Sequence, residues 1–478
     1  MMNKRKAWGL IPLVALIAAS AACSAKNDGN SGASSNAAST AAASGSPEAK
    51  NVVFDNGDWV KDDDKQLPQY EAWKTALETE YPNIKMTPDY YPYDVNTFLP
   101  KAESGQLPNL FSTYFTEPDK IINAGYAADI TSFMTKYGYD KAVNPDMLKL
   151  VTRDGKIYGI PDSGYYMGIW YNVNLFKQAG LLDDKGVPKF PRTYDELAQT
   201  AKIIKDKTGK FGFFFPTENN QGGWQFMNIA WSYGAEFEQQ EGGKWKAVFD
   251  SPEAVEALQY IKDLKWKYDV LPDNALVNID DGFRMFGTDQ VGMAFATTDW
   301  KNNPVNDYKM SKDAIAMSAV PAGPKARVAL FGGNLRMFAN NASPEQIDAG
   351  FKWTKIIGKS PDVDPDSLKG LEDKLASDQS QNRVTGVHGL SPWVNKEKTD
   401  AENAIYDKYR NVNLDLWNDY MKNEGVTIKP EVPMNAQELY KQLDSVIQAV
   451  LTDKNADPKT LLDKATADFQ KDYLDKAN

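Results

Sequence analysis

The chain has 478 residues, room for about three average domains or two large ones, and its 42% hydrophobic and 25% charged residues are those of a folding globular protein. Lys and Arg total 54 against 65 Asp and Glu, a net charge of −11, which repels a phosphate backbone and excludes nucleic acid as an expected partner. One cysteine, Cys23, and one histidine, His388, exclude an internal disulfide and a Cys/His zinc site; any Ser/His/Asp or Cys/His chemistry would have to use His388. Paired carboxylates and Ser/Lys chemistry stay open, and no cofactor is expected.

Lys4, Arg5 and Lys6 precede fifteen uncharged residues, Trp8 to Ala22, the pattern of a secretory signal over residues 1–22 and too short for a comfortable membrane span. The run ends Ser20-Ala21-Ala22-Cys23. Small residues before a cysteine resemble the lipobox of bacterial prolipoproteins, although Ser20 stands where the pattern usually has a branched aliphatic; the alternative is plain cleavage near Ala22. Lipidation is expected at Cys23, and with it an acyl anchor on the outer face of the cell membrane. Residues 23–50 then form a linker: Ser, Ala, Gly and Asn supply 21 of the 26 residues from Ser24 to Ala49, too few apolar groups to bury a core.

Beyond Lys50, Asn51-Val52-Val53-Phe54 reads as a strand. The spacing of Tyr70, Trp73, Leu77 and Tyr81 predicts a helix, and Ile84-Lys85-Met86 returns to strand, which is βαβ order. Asp62-Asp63-Asp64 reads as a solvated acidic loop, lacking the spaced ligands and Gly of a calcium loop. Three helices announce their starts: a capping box at Thr193-Tyr194-Asp195-Glu196, and a hydroxyl followed by Pro at Ser251-Pro252 and Ser343-Pro344. Val255, Leu258, Ile261 and Leu264 stripe one helix, Ile347, Phe351, Thr354 and Ile357 another. Asp362-Val363-Asp364-Pro365-Asp366 reads as a loop. From about Asp362 the chain reads mainly helical and without clear strands. The class is α/β.

Specific blocks sharpen this. Asp154-Gly155-Lys156-Ile157-Tyr158-Gly159-Ile160-Pro161, then Trp170-Tyr171-Asn172 and Leu175 to Leu181, resemble the signature of family 1 extracellular solute-binding proteins, the lipoprotein receptors of carbohydrate ABC importers. The Pro191-to-Leu197 stretch, Gly292-Met293-Ala294, Val320-Pro321-Ala322-Gly323-Pro324 and Gly332-Gly333-Asn334 follow in family order. The resemblance implies a two-lobe, type II, maltose-binding-protein-like fold with a hinge and a helical C-terminal part: lobe 1 over 51–163 plus 329–380, lobe 2 over 164–328 plus 381–478. It implies a monomeric receptor, not an enzyme, that binds a sugar between the lobes and delivers it to permease subunits. A peptide or other polar solute, a receptor feeding a sensor kinase, and a secreted glycoside hydrolase with two carboxylates across the scissile bond are the alternatives.

A sugar presents polar edges and apolar C–H faces, so its cleft needs aromatic planes beside carboxylates or amides. Candidates lie beyond strand ends, where open α/β sheets bind ligands. Trp59 either lines the cleft or packs on the neighbouring helix. Tyr114 points to the cleft, Phe115 to the core, and Glu117 is a hydroxyl acceptor or a solvated cap. Asp299 and Trp300 combine an acceptor with a plane. Asn334 lies at a lobe crossing. One of Trp224 and Trp231, on a Gly loop and the helix after it, faces the cleft, and Trp393 completes the set. His388 beside it is read as a surface or core residue.

Overall fold

The computed structural model describes residues 50–62, 64 and 66–477; the expected signal peptide, Cys23, the linker up to residue 49 and Asp63 lie outside the described residues. Apolar alternation builds the first strands. Val52–Asn56 (β1) buries Phe54 and Asn56, and pairs in parallel with Ile84–Pro88 (β2) and Leu110–Tyr114 (β3). The helix Leu67–Glu80 (α1) connects β1 to β2 and packs on the latter. This is the expected βαβ unit.

The same sheet is completed from far along the chain. Val328–Phe338 (β9) pairs antiparallel with β3 through Asn334 to Phe338, and along its other edge with Gly159–Tyr166 (β4). Its first residues, Val328 to Phe331, pair in parallel with Thr427–Pro430 (β10). That last strand lies in the region the sequence marks as helical. Four residues long, half exposed and ending in proline, β10 has no apolar run of its own and is a strand only because β9 offers it an edge.

A second sheet runs in the order Ile315–Ala319 (β8), Gly168–Asn172 (β5), Val291–Ala296 (β7), Phe211–Phe214 (β6). Three of its strands are buried on both faces: every residue of the central β5 and β7 and of the edge strand β8 is inside, including Trp170 and Tyr171. Two covalent crossings join the sheets. Between β4 and β5 stands only Met167, whose N–H donates to the Leu330 carbonyl at 2.9 Å. A Cβ at Gly168 would lie 2.5 Å from the Ser318 carbonyl and 2.6 Å from the Tyr420 ring, so glycine is required there. Tyr166 and Tyr420 lock the crossing: their rings stack at 4.5 Å and each hydroxyl donates to the other's carbonyl, at 2.8 and 2.9 Å. The second crossing leads from β8 to β9.

The capping signals are largely as read. Ser251 accepts from the Ala254 N–H, and Ser343 makes a full box with Gln346 at the start of Pro344–Ile356 (α3), which packs on β1 and α1. Thr193 accepts from Glu196, but the Glu196 carboxylate takes the Arg192 N–H instead of closing the box. At Asp362–Asp366 the loop reading is corrected: Asp364 accepts from the N–H groups of Asp366 and Ser367 and starts the helix Pro365–Ser380, with Pro at its first position.

Candidate functional site

Residues at β9 point to two faces. Gly332 directs its missing Cβ at the Tyr165 hydroxyl (2.5 Å), Gly333 at the Phe115 ring (2.7 Å). On the Phe115 side, Phe115 and Phe331 meet edge to face at 6.1 Å, so Phe115 is core as expected. On the Tyr165 side aromatic rings gather beside polar groups, and a cavity of about 460 Å³ lies past Phe115, Phe331 and Glu431.

The helix Gln221–Tyr233 (α2) supplies the first plane. Its Gly222 and Gly223, expected in a loop, are its opening turn, because Ala436–Thr452 (α4) crosses there: a Cβ at Gly223 would meet the Tyr440 carbonyl at 2.4 Å. Asp444 of α4 accepts from the N–H groups of Asn220 and Gly223, both at 2.7 Å, satisfying the donors of that turn. Trp224 is left half-buried with its ring 6.1 Å from Tyr165, perpendicular to it, and 5.8 Å from Trp300. Trp300 stands on the turn Thr298–Trp300 after β7 and rests edge-on against Phe283 at 5.3 Å. Tyr165 comes from the first sheet, the tryptophans from elements of the second.

Asp299, next to Trp300, is exposed, and among the described residues no hydrogen bond or ion pair reaches its carboxylate. Thinned hydration raises its pKa, against the field of Lys301. Lys301 itself is turned away, donating to the Thr298 carbonyl at 3.3 Å, and burial pushes its pKa down to about 8. Glu431 accepts from the Tyr440 hydroxyl at 3.0 Å; burial, with the Glu117 charge nearby, pushes its pKa up to about 8. Glu117 is 3% exposed and raised by burial, with Tyr93 and Thr116 donating to its two oxygens.

Beyond β3, Tyr114 is 42% exposed and packs edge-on against Tyr93 at 5.3 Å. Asn334, its register partner, is the one exposed residue of the otherwise buried β9. Arg336 is buried on the same strand. It bonds Asp58 at 2.7 Å and pairs with Asp162, which Lys359 also approaches at 3.4 Å; Ser112 donates to Asp58 at 3.0 Å. Burial would raise Asp162, but the two cations outweigh it and hold its pKa at about 2.

The structure thus brings together Trp224, Asp299 and Trp300, and groups Tyr114, Glu117 and Asn334 at the carboxyl end of β3. The other three sit in protein surroundings. Trp59 packs edge-on against Tyr70 (5.4 Å) and near Trp353 (6.1 Å). Trp231 is 4% exposed, against Phe237 and beneath the Lys429 ammonium. Trp393, 6% exposed, abuts Tyr139. His388 lies over Tyr406 at 4.9 Å. Sequence reading missed Tyr165, Asp162, Arg336 and Glu431. Polar Asp162, Ser163 and Tyr165 inside an apolar strand were the available signal; Arg336 and Glu431 carried none.

Polar contacts also join the two halves beside the cleft. Lys120, after β3, pairs with Glu438 at 3.0 Å, and Gln437 bonds both Thr116 (3.3 Å) and Asn220 (3.2 Å).

A family model described as bacterial extracellular solute-binding protein matches residues 64–355. The chain belongs to that family. This solute-binding protein is 30% identical over 197 residues to Escherichia coli (strain K12) YcjN, named as an ABC transporter periplasmic-binding protein, across 39% of this chain and 42% of that one. It is 24% identical over 207 residues to the arabinooligosaccharide-binding protein of Halalkalibacterium halodurans, across 42% and 44%. Maltose-bound MalE3 of T. maritima superposes with a TM-score of 0.67 at 20% identity, covering 88% of this chain and 99% of that one, which establishes the maltose-binding-protein-like fold. The solute-binding protein therefore serves an ABC importer, presenting a small solute to permease subunits, and its family works outside the cytoplasm. Among the described residues no helix is long and apolar enough to cross a membrane.

Proposed function

We propose that this receptor captures a sugar or oligosaccharide in the cleft between two lobes and carries it to its permease without chemical change. One observation carries the reading: Tyr165 on a strand of the first sheet meets Trp224, which meets Trp300, both from the second, beside the Asp299 carboxylate, which no hydrogen bond or ion pair reaches among the described residues. Rings stack on sugar C–H faces, and Asp299, Tyr114 and Asn334 offer acceptors and donors to hydroxyls. The lobes correspond to the two sheets, so that only a closed molecule brings all of these groups to one ligand and closure is favoured by the ligand itself.

Trp224, Asp299, Trp300, Tyr114, Asn334 and Tyr165 are assigned to the ligand. Glu117 and Glu431 back the cleft, the Arg336 network holds its floor, and Trp59, Trp231 and Trp393 pack the walls. The chain acts as a monomer, tethered by lipid on Cys23 through its Ser/Ala-rich linker, with the acyl group supplying the attachment that an acidic protein lacks on anionic lipid.

The test is thermal unfolding of the purified protein with a panel of mono- and oligosaccharides and peptides at millimolar concentration. A micromolar ligand at about a thousandfold excess adds about 4 kcal/mol. A shift with one sugar class, recovered intact by chromatography, supports the reading. Shifts with peptides alone, or hydrolysed sugar, overturn it.

A further inference from the structure

The cleft is aromatic and acidic, and its positive charges are already taken. Arg336 is held between Asp58 and Asp162, at 2.7 Å from the former. Lys359 is 3.4 Å from the same Asp162, and Lys120 is 3.0 Å from Glu438. Lys301 lies beneath the surface with its ammonium on a backbone carbonyl. Among the described residues no hydrogen bond or ion pair reaches the Asp299 carboxylate, and the hydrogen bonds to Glu117 and Glu431 come from hydroxyls. Tyr165 meets the Trp224 ring at 6.1 Å, and Trp224 in turn meets Trp300, the neighbour of Asp299, at 5.8 Å.

We infer that the cleft selects uncharged or positively charged saccharides and rejects those that carry a carboxylate or phosphate. The inference rests on the sugar-receptor reading and adds its charge class. An anionic ring laid against Trp224 and Trp300 would be stripped of water without gaining a cation, and would face Asp299. A hydroxyl pair in the same place donates to Asp299 and restores what that carboxylate lost. An amine does so with opposite charge. Discrimination here comes from a repulsive element as much as from attraction.

The experiment is calorimetric titration of the full chain with matched pairs: a neutral xylo-oligosaccharide against its glucuronic-acid-branched counterpart, cellobiose against cellobiouronic acid, and chitobiose against its deacetylated form. In low salt, the acidic member of each pair that binds is expected to be at least tenfold weaker than the neutral one, and the amino sugar equal or tighter. The gap should narrow in 0.5 M salt, because screening shortens the reach of Asp299. Asp299→Asn should narrow it as well, with the melting temperature reporting that the variant is folded. Acidic and neutral members binding alike, or a gap insensitive to salt and to Asp299→Asn, would overturn the charge inference and leave the sugar receptor standing. If no member of any pair binds, the sugar reading itself falls, and this inference with it.

Discussion

Two aromatic groups stand beyond strand ends of this molecule, and they have opposite fates. After β1, Trp59 joins Tyr70, Trp73 and Trp353 in contacts of 5.2–6.5 Å, closed over by α1 and α3, and the neighbouring Asp58 is neutralised by Arg336. After β7, Trp300 joins Trp224, Tyr165 and Phe283, but the neighbouring Asp299 is left unpaired. Both sites read in sequence as an aspartate followed by a tryptophan. What separates them is whether a helix packs over the ring and a cation meets the acid, and only tertiary structure decides that.

The sharpest way to break the comparison is to remove the cation from the first group. Arg336→Met leaves Asp58 and Asp162 buried and facing each other, and should lower stability by about 3–5 kcal/mol in denaturant unfolding. A loss under about 1 kcal/mol would mean that water already reaches the network. Next come the tryptophans themselves. Trp59→Ala, removing a half-buried ring, is expected to cost about 2–3 kcal/mol of stability. Trp300→Ala should spare most of the stability and weaken ligand binding tenfold or more, about 1.4 kcal/mol. If the two variants exchange these effects, the cleft lies beside β1 instead.

Acidity offers a third probe. Burial holds Glu431 and Glu238 near a pKa of about 8 and Asp444 near about 7, all above their unfolded values. Groups raised in this way favour folding fully below the unfolded pKa near 4 and lose that contribution as pH rises through 7 and 8. The melting temperature should therefore be higher at pH 5.5 than at pH 8.5, and Glu431→Gln should flatten the slope. A profile rising toward pH 8.5 would place these carboxylates in water. The smallest expected effect belongs to the Lys120–Glu438 pair. It is partly exposed, so Glu438→Gln should change stability by less than about 1 kcal/mol while shifting the balance between open and closed forms in small-angle scattering.

Much of the fold was legible because it depends on local pattern: the β1–α1–β2 unit, the helix starts at Ser251 and Ser343, and the apolar β7 all follow from spacing and capping. The missing strand, β10, depends on an edge supplied from a hundred residues away. In the site, Trp300 and Asp299 were readable from their place after a strand. The choice of Trp224 over Trp231 was not, since both lie on α2 and only Phe237, covering the second, distinguishes them. Arg336 was invisible for the same kind of reason: an arginine in an apolar strand has meaning only beside Asp162, on the neighbouring β4, and Asp58, which follows β1.

The junction at Met167 has a use in measurement. With one residue between β4 and β5, a glycine that admits no side chain, and two tyrosines tied to each other's backbone, that point is a tightly held link between the two sheets. It is the fiducial mark of the molecule. If the two sheets turn about it on ligand binding as proposed, a pair of distance labels across Tyr166 and Tyr420 should stay constant while a pair near Lys120 and Glu438 changes, and the first signal serves as the internal reference for the second.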